Sequence, residues 1–258
     1  MTVAVEDRRP QTTGEPEEVV LDLQHVGRQF GGLQALHDIT LQLQKGEIVG
    51  LVGANGAGKT TLLNCIAGAI RNDEGRVMFE GQDVTRLRPE RRCQLGISRT
   101  FQIPRPFPNL TVLETVLVAT WGGRRSRSRR VATVLASEAL GLARVRNSPD
   151  ASAGELTTGD LRRLDLARAL ATKPRLLLLD EIGAGSTASE LDELFDIVLQ
   201  LRLSGVTIIL VEHILHAIGS LCDRVVLLDH GLVLLDGPTA SVVEDPLFSA
   251  HYLGIAAL

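Results

Sequence analysis

Hydrophobic and polar residues alternate near the start of the chain, at residues 19–26 and again at residues 39–43. A period of two predicts half-buried strands, because successive side chains of a strand point to opposite faces of its sheet. We therefore expect two strands near an exposed sheet edge. Residues 1–17 contain little that could be buried, and we expect them to form a disordered leader.

Farther along the chain, short apolar runs alternate with stretches in which apolar residues recur at helical spacing. The predicted strands are residues 47–52, 76–79, 175–180, 206–211, 224–228 and 232–236. The predicted helices are residues 59–69, 160–172 and 189–203, followed by a short helical tail. Strands and helices that alternate in this order predict an α/β fold with a parallel core sheet.

The segment 111–143 has mostly helical spacing and predicts a helical lobe. Gly122 and Gly123 interrupt it, and an arginine-rich run follows at residues 124–130. Clustered arginines attract phosphate groups, so this run is compatible with a membrane surface or nucleic acid. We favour a solvated loop, because no apolar or shaped partner adjoins the arginines to make such binding specific.

A glycine-rich loop lies between the predicted strand 47–52 and the helix 59–69. Its sequence, GANGAGKT at residues 53–60, fits the phosphate-binding pattern G-x-x-x-x-G-K-[ST]. Glycines let backbone N–H groups face a phosphate, and the N-terminus of the next helix adds its positive dipole end. Lys59 would supply a charge at the β- and γ-phosphates, and the Thr60 hydroxyl would bind Mg²⁺. The alternative, an ordinary glycine turn, is disfavoured by this position between strand and helix.

Two adjacent carboxylates, Asp180 and Glu181, end the apolar strand at 175–180. The carboxyl edge of a parallel sheet is where ligands bind in open α/β folds. Asp180 would hold Mg²⁺, and Glu181 would orient or deprotonate the water that attacks the γ-phosphate. An acidic turn after a core strand is the alternative, and the phosphate loop upstream favours the site.

The composition fits one globular domain. A length of 258 residues suits a single domain with lobes, and 27 basic against 31 acidic residues lack the excess of positive charge typical of nucleic-acid binders. Three widely spaced cysteines without a metal-binding pattern predict free thiols in a reducing cytoplasm. No apolar run approaches the roughly 18 residues of a membrane span, and no signal peptide is evident.

Together with residues 156–160 and His213, these motifs resemble the nucleotide-binding subunits of ABC transporters over nearly the whole chain. The resemblance implies a P-loop NTPase fold with a mixed, mainly parallel core sheet, an N-terminal antiparallel β subdomain and a helical subdomain. Residues 18–258 would form this ATPase domain, with the helical subdomain at about residues 100–172.

The resemblance also implies roles for single residues. Phe30 stands where the family stacks a ring on adenine, Gln102 matches a glutamine that touches Mg²⁺ or the lytic water, and His213 matches a histidine that bonds the γ-phosphate. The expected nucleotide contacts are Phe30, Gly53, Asn55, Gly56, Gly58, Lys59, Thr60, Thr61, Gln102, Thr157 and Gly159. The expected metal ligands are Thr60, Gln102 and Asp180, and the expected catalytic residues are Lys59, Glu181 and His213.

Two segments depart from the family pattern. LTTGD, at residues 156–160, stands where the family has LSGGQ, which completes the site of the partner subunit. Thr157 keeps a hydroxyl, whereas Asp160 brings a negative charge near a triphosphate and would slow hydrolysis. Ile182 replaces the usual proline, and Thr187 replaces an aspartate or asparagine. With these departures, the resemblance does not predict whether the two ATP sites of a dimer communicate.

Three short segments are similar to the branched-chain amino acid importer group, namely RTFQ at 99–102, FPNLTV at 107–112 and HYLG at 251–254. This similarity implies a peripheral subunit at the cytoplasmic face of the plasma membrane. Its partners would be a second ATPase subunit, transmembrane permeases and, indirectly, an extracytoplasmic solute-binding protein. Residues 103–108, with three prolines, would help dock a permease helix, or else form a rigid surface loop.

The expected function is therefore an ATP- and Mg²⁺-dependent ATPase subunit that powers an importer for a small polar solute, branched-chain amino acids or a related compound. A soluble ABC-type clamp in DNA repair or translation is one alternative. The chain shows no coiled coil, tandem ATPase domain or basic surface, so we expect no nucleic-acid partner. A low-turnover subunit of a mixed dimer is a second alternative, motivated by Asp160 and Thr187.

Overall fold

The alternating runs near the start of the chain form long strands. The computed structural model describes residues 18–102, 104, 107–122 and 128–252. The strands are β1 Val19–Phe30, β2 Leu33–Gln44, β3 Ile48–Val52, β4 Glu74–Phe79, β5 Gln82–Asp83, β6 Ile97–Arg99, β7 Leu176–Asp180, β8 Thr207–Val211, β9 Arg224–Asp229 and β10 Leu232–Pro238. The helices are α1 Lys59–Ala67, α2 Pro89–Leu95, α3 Val112–Gly122, α4 Arg129–Leu142, α5 Thr158–Ala171, α6 Ala188–Leu203, α7 Leu215–Leu221, α8 Thr239–Val243 and α9 Pro246–Tyr252.

Within the described residues, the strands form two sheets. An antiparallel sheet has the order β2-β1-β4-β5, and a six-stranded sheet has the order β10-β9-β3-β8-β7-β6. In the second sheet, β10 pairs antiparallel with β9, and the other neighbouring strands pair in parallel. The predicted fold class, with its mixed core sheet and N-terminal antiparallel sheet, is confirmed.

The core sheet separates two hydrophobic cores. The strands β3, β7 and β8 are buried along their whole length, and their side chains alternate between the two faces. On β7, Leu177 and Leu179 join the core that includes helices α3 to α7. Leu176 and Leu178 join the core that includes α1 and the antiparallel sheet. Strands buried on both faces explain why the sequence shows continuous apolar runs there.

The segment with helical spacing at 111–143 forms two helices, α3 and α4, which pack against each other and against α5. On α4, Ala132, Ala136 and Ala139 are buried at helical spacing, and their small side chains allow close packing. Four arginine-run residues, 124–127, lie outside the described residues, as do the proposed leader 1–17, residues 103, 105 and 106, and residues 253–258. Among the described helices, none is long and apolar enough to cross a membrane.

Four elements were not predicted from the sequence, namely β5, α2, β6 and α7. Helix α2 is held by a buried arginine, Arg92, which is only 1% exposed. Its guanidinium donates to the carbonyls of Cys65 and Ile66 at the end of α1, at 2.6 and 2.7 Å. It also donates to the carbonyls of Thr85 and Leu87. These contacts connect α2 to α1 through tertiary structure, which local spacing does not encode.

Candidate active site

The glycine-rich loop begins where β3 ends and leads directly into α1. Gly53 has a φ of 148°, and a Cβ there would lie 2.0 Å from the carbonyl oxygen of Leu228. Gly58 has a φ of 106°, and a Cβ there would lie 2.7 Å from the carbonyl oxygen of Ala35. Glycine is therefore required at both positions, because backbone from β2 and β9 approaches the loop closely.

Lys59, the first residue of α1, lies inside the curve of this loop. Lys59 is 6% exposed, and its Nζ donates to the carbonyl oxygens of Gly53 at 2.7 Å and Ala54 at 3.0 Å. Burial lowers the pKa of Lys59, while the charges of Glu181 and Asp180 act in the opposite direction. The ammonium group is thus held by the loop and lies near both carboxylates.

Asp180 and Glu181 have different surroundings. Asp180 is 2% exposed, and its Oδ2 accepts a hydrogen bond from Nη2 of Arg99 at 2.8 Å. Its Oδ1 is buried and has no hydrogen-bond partner among the described residues. Glu181 has a φ of 50°, and its backbone N–H donates to the carbonyl oxygen of Val211 at 2.9 Å. This conformation turns the chain at the sheet edge.

Gln102, Glu181 and His213 come together at this edge. Nε2 of Gln102 donates to Oε2 of Glu181 at 2.6 Å, and Nε2 of His213 lies 2.9 Å from Oε1 of Glu181. The three residues follow β6, β7 and β8, which are neighbours in the core sheet. Loops from three strands therefore place an amide, a carboxylate and an imidazole in direct contact.

A cleft of ≈ 650 Å³ contains most of the expected nucleotide contacts. It is lined by Phe30, Asn55, Gly56, residues 58–61, Gln102 and Glu181. Phe30 is 41% exposed, and the guanidinium of Arg28 lies 4.5 Å from its ring centroid. The ring is thus exposed at the cleft while a cation lies against it, an arrangement that adds electrostatic attraction to the packing.

Thr157 and Gly159 do not line this cleft. Thr157 caps α5: its Oγ1 accepts from the N–H of Asp160 at 3.2 Å and donates to Oδ2 of Asp160 at 2.7 Å. A Cβ at Gly159 would lie 3.6 Å from Oε1 of Glu190, on α6. The resemblance assigns these two residues to the site of the opposite subunit, and that assignment stays a prediction.

Thr187 has a structural explanation as the N-cap of α6. Its Oγ1 accepts from the N–H of Glu190 at 3.3 Å, and the Glu190 carboxylate accepts from the N–H of Thr187 at 2.7 Å. This reciprocal pair is a capping box, which satisfies two N–H groups at the start of the helix. The departure from the family pattern at this position therefore preserves a helix cap.

One site residue, Arg99, was not assigned from the sequence. Besides Asp180, it contacts Oδ1 of Asn64 on α1 and the carbonyl oxygen of Thr100. Its side chain is 8% exposed, so Arg99 and Asp180 form a buried ion pair. Arg99 ends β6, which pairs with β7, but this short strand shows no periodicity that could have revealed the contact.

The phosphate loop, the carboxylate pair and the edge of a parallel sheet define the site of a P-loop ATPase. The profile of the ABC transporter family matches residues 36–184. This chain belongs to the ABC transporter family, and the family identified from its motifs is confirmed.

Similar proteins cover nearly the whole chain. The probable branched-chain amino acid transport ATP-binding protein LivG of Archaeoglobus fulgidus is 33% identical, over 91% of this chain and 95% of that protein. LivG of Escherichia coli K12, a high-affinity branched-chain amino acid transport ATP-binding protein, is 35% identical, over 88% and 94%.

Among solved structures, a nucleotide-free ATP-binding cassette from an ABC transporter has a TM-score of 0.81 at 29% identity, over 89% of this chain and 96% of that chain. A cassette in its ADP conformation also has a TM-score of 0.81, at 30% identity, over 92% and 99%. These similarities confirm the predicted class of function, an ATP-binding and ATP-hydrolysing transporter subunit.

Proposed function

We propose that this chain hydrolyses Mg·ATP to power an importer of a small polar solute, branched-chain amino acids or a related compound. The observation that carries the catalytic part is the contact of Gln102 and His213 with the Glu181 carboxylate. Glu181 and Gln102 line one cleft together with Lys59. The solute class is supported by the names of relatives, which include the high-affinity branched-chain amino acid transport protein BraF of Pseudomonas aeruginosa, 32% identical over 92% of this chain.

The residues of the cleft have distinct tasks in this reaction. Lys59 and the loop N–H groups bind the β- and γ-phosphates, where Lys59 offsets their negative charge. Glu181 orients the attacking water and accepts its proton, while His213 and Gln102 fix the carboxylate from both sides. Phe30 offers its ring to adenine. Because the three polar groups follow neighbouring strands, a rigid sheet sets their positions.

The side chains present fit Mg²⁺. Oδ1 of Asp180 is a buried acceptor without a partner among the described residues, and such an oxygen suits a hard cation or its water. The Thr60 hydroxyl and Gln102, both at the cleft, would complete the protein ligands. When bound, Mg²⁺ neutralises charge that develops on the phosphates.

The proposed partners are a second ATPase subunit, a pair of permeases at the cytoplasmic face of the plasma membrane and, indirectly, an extracytoplasmic solute-binding protein. Thr157 and Gly159 would complete the opposite subunit's site. Phe101 precedes the proline-rich segment 103–108 and Phe107 lies within it, and they are 47% and 39% exposed. Two exposed aromatic side chains in this part of the chain suit contact with a permease helix. Residues 103, 105 and 106 of that segment lie outside the described residues.

The test uses Glu181→Gln, which removes the base but keeps the size of the side chain. We expect steady-state ATP hydrolysis to fall by at least about 100-fold, with ATP affinity retained. Lys59→Ala is the contrasting variant and should lose affinity for ATP, because it removes the cation. When Glu181→Gln is isolated from its native cells in the presence of ATP, polytopic permeases and a second ATPase subunit should co-purify with it. Unchanged hydrolysis in both variants, or nucleic acid in place of permeases, would contradict the proposal.

One contact favours the low-turnover alternative. The Thr157 hydroxyl donates to Asp160, so this donor is engaged within its own chain, and the Asp160 charge lies beside it. Both features oppose a γ-phosphate bound by the opposite subunit. The same assay decides: robust hydrolysis by the wild-type chain that is lost in Glu181→Gln rejects low turnover.

A further inference from the structure

A buried carboxylate, Glu212, directly precedes His213 and has no role in the reaction described above. Its residue is 4% exposed. Its Oε1 accepts a hydrogen bond from the N–H of Gly183 at 2.9 Å, and its Oε2 lies 3.4 Å from the N–H of His213. Glu212 thus bonds to the turn at residues 181–186, which begins with Glu181.

Three consecutive residues hold this turn in three different ways. The carbonyl oxygen of Val211 accepts the N–H of Glu181 at 2.9 Å. The Glu212 side chain accepts the N–H of Gly183, and the His213 ring lies 2.9 Å from the Glu181 carboxylate. The end of β8 therefore fixes the backbone of the turn at two points and its side chain at a third.

The turn requires such support. Glu181 has a φ of 50°, a left-handed conformation that is uncommon for a residue with a side chain. Within the turn, the N–H of Ala184 reaches the carbonyl of Glu181 at 3.3 Å, and the N–H of Ser186 reaches that of Gly183 at 3.1 Å. Both internal bonds are longer than the 2.9 Å bonds that the N–H groups of Glu181 and Gly183 donate to Val211 and Glu212, so contacts from the end of β8 add to the restraint.

Packing around the turn is tight. A Cβ at Gly183 would lie 2.6 Å from Cδ2 of Leu191 and 3.2 Å from Oε1 of Glu212. Burial raises the pKa of the Glu212 carboxyl, and the charged groups that also act on it are Glu181 and His213. A charge at this position is therefore costly for folding, and no arginine or lysine offsets it among these neighbours. A buried carboxylate that lowers the stability of the folded chain suggests that Glu212 has a functional role.

We propose that Glu212 is a positioning residue: by accepting the Gly183 N–H, it fixes the turn that carries Glu181 relative to His213. This inference rests on the proposed ATPase function and assigns a fourth polar side chain to the same edge. Glu212 touches neither nucleotide nor water in this assignment, and acts only through the backbone of the turn.

The kinetic test compares three substitutions. Glu212→Gln keeps an oxygen acceptor at the same reach, and its kcat should stay within about threefold of wild type. Glu212→Met keeps the volume without the acceptor, and its kcat should fall about 10- to 100-fold, with ATP affinity little changed, because misplaced catalytic groups lose rate. In Glu212→Asp the side chain is too short to reach the N–H of Gly183, so its kcat should fall as in Glu212→Met. Glu212→Asp serves as the test if Glu212→Met does not fold.

The matched control is Glu47→Gln. Glu47 is another carboxyl whose pKa is raised by burial, but it precedes β3 at the opposite edge of the core sheet and accepts from the N–H of Gln44. Its kcat should equal that of wild type. Wild-type kcat in both Glu212→Met and Glu212→Asp, or an equal loss in Glu212→Gln or Glu47→Gln, would overturn the proposal.

A second measurement does not depend on catalysis. Hydrogen exchange of peptides that cover residues 181–187, measured without nucleotide, should be faster in Glu212→Met and Glu212→Asp than in wild type, and unchanged in Glu212→Gln. If the wild-type chain hydrolyses no ATP, the proposed function fails, and this exchange pattern still decides whether Glu212 fixes the turn. Equal exchange in all variants would overturn the positioning role.

Discussion

The two carboxylate oxygens of Asp180 have different neighbours, and this asymmetry suits the proposed role of Asp180 as a metal ligand. Oδ2 is bonded to Arg99, while Oδ1 lies without a partner among the described residues. The buried guanidinium stabilises the charge of Asp180 in a place where water cannot. Asp180 was expected from its position after an apolar strand. Arg99 was not, because its contact depends on the pairing of β6 with β7.

Replacement of Arg99 tests this arrangement. Arg99→Met leaves a buried carboxylate without its cation, and the free energy of unfolding should fall by about 3 to 5 kcal/mol. A divalent cation can replace part of the lost charge, so Mg²⁺ with ADP should stabilise this variant more than wild type. Urea unfolding with and without Mg²⁺ and ADP measures both effects.

The control for Arg99 is Arg146→Met. Arg146 pairs with Glu193, but its side chain is 74% exposed, so this substitution should cost less than about 1 kcal/mol. If Mg²⁺ with ADP stabilised wild type and Arg99→Met equally, Asp180 would not be the metal ligand.

At the scale of elements, segments with an apolar run or with helical spacing were predictable, and segments with neither signal were not. The strands β7 and β8 and the helix α6 were expected within one or two residues of their observed bounds. Helix α2 has seven residues, too few for a periodic signal, although Pro89 starts it and Gly96, with a φ of 113°, ends it. What holds it is Arg92, through carbonyls on α1 and on the preceding turn.

Removal of Arg92 should therefore weaken the link between α1 and α2. Arg92→Met leaves several carbonyl oxygens without their donor, and we expect the free energy of unfolding to fall by about 3 kcal/mol. Arg91→Met changes the neighbouring residue on the same helix, whose side chain bonds to Gln94 alone among the described residues, and should stay within about 0.5 kcal/mol. Urea unfolding of the two variants compares them directly, and equal losses would argue against the carbonyl contacts.

At the scale of the whole molecule, the proposed catalytic groups were expected at one edge of the core sheet because each motif follows a strand. The loops after β3, β8, β7 and β6 leave neighbouring parallel strands, which brings Lys59, His213, Glu181 and Gln102 together. The sequence could not show that Glu212 faces inward, since its neighbours come from a turn on a different strand. Burial of a charged group depends on the assembled fold, and no local pattern reports it.

Glu212 also links folding to pH. Its pKa is raised from an ordinary value of 4.5 by burial, so between these two pKa values the folded chain binds more protons than the unfolded chain. The contribution of Glu212 to the free energy of unfolding is full below 4.5 and is lost as pH rises through the raised pKa. Glu212→Gln lacks this loss, so its stability relative to wild type should increase from about pH 4 to about pH 8.

Urea unfolding at several pH values measures this difference. Glu47→Gln removes a second carboxyl whose pKa burial raises, and should show the same sign. A difference between Glu212→Gln and wild type that stays flat, or decreases, as pH rises would contradict the assignment.

The number of residues in strand β7 sets the positions of Asp180 and Glu181. Successive leucines of β7 point alternately to the two cores, and Asp180 and Glu181 follow at the next two positions. Inserting or deleting one residue within β7 would exchange the two sets of leucines and displace both carboxylates together. The hairpin turn at Gly81, where a Cβ would meet nothing within 4 Å, carries no such constraint. Changes of chain length in descendants of this sequence should therefore accumulate at such turns, while the number of residues in β7 stays fixed.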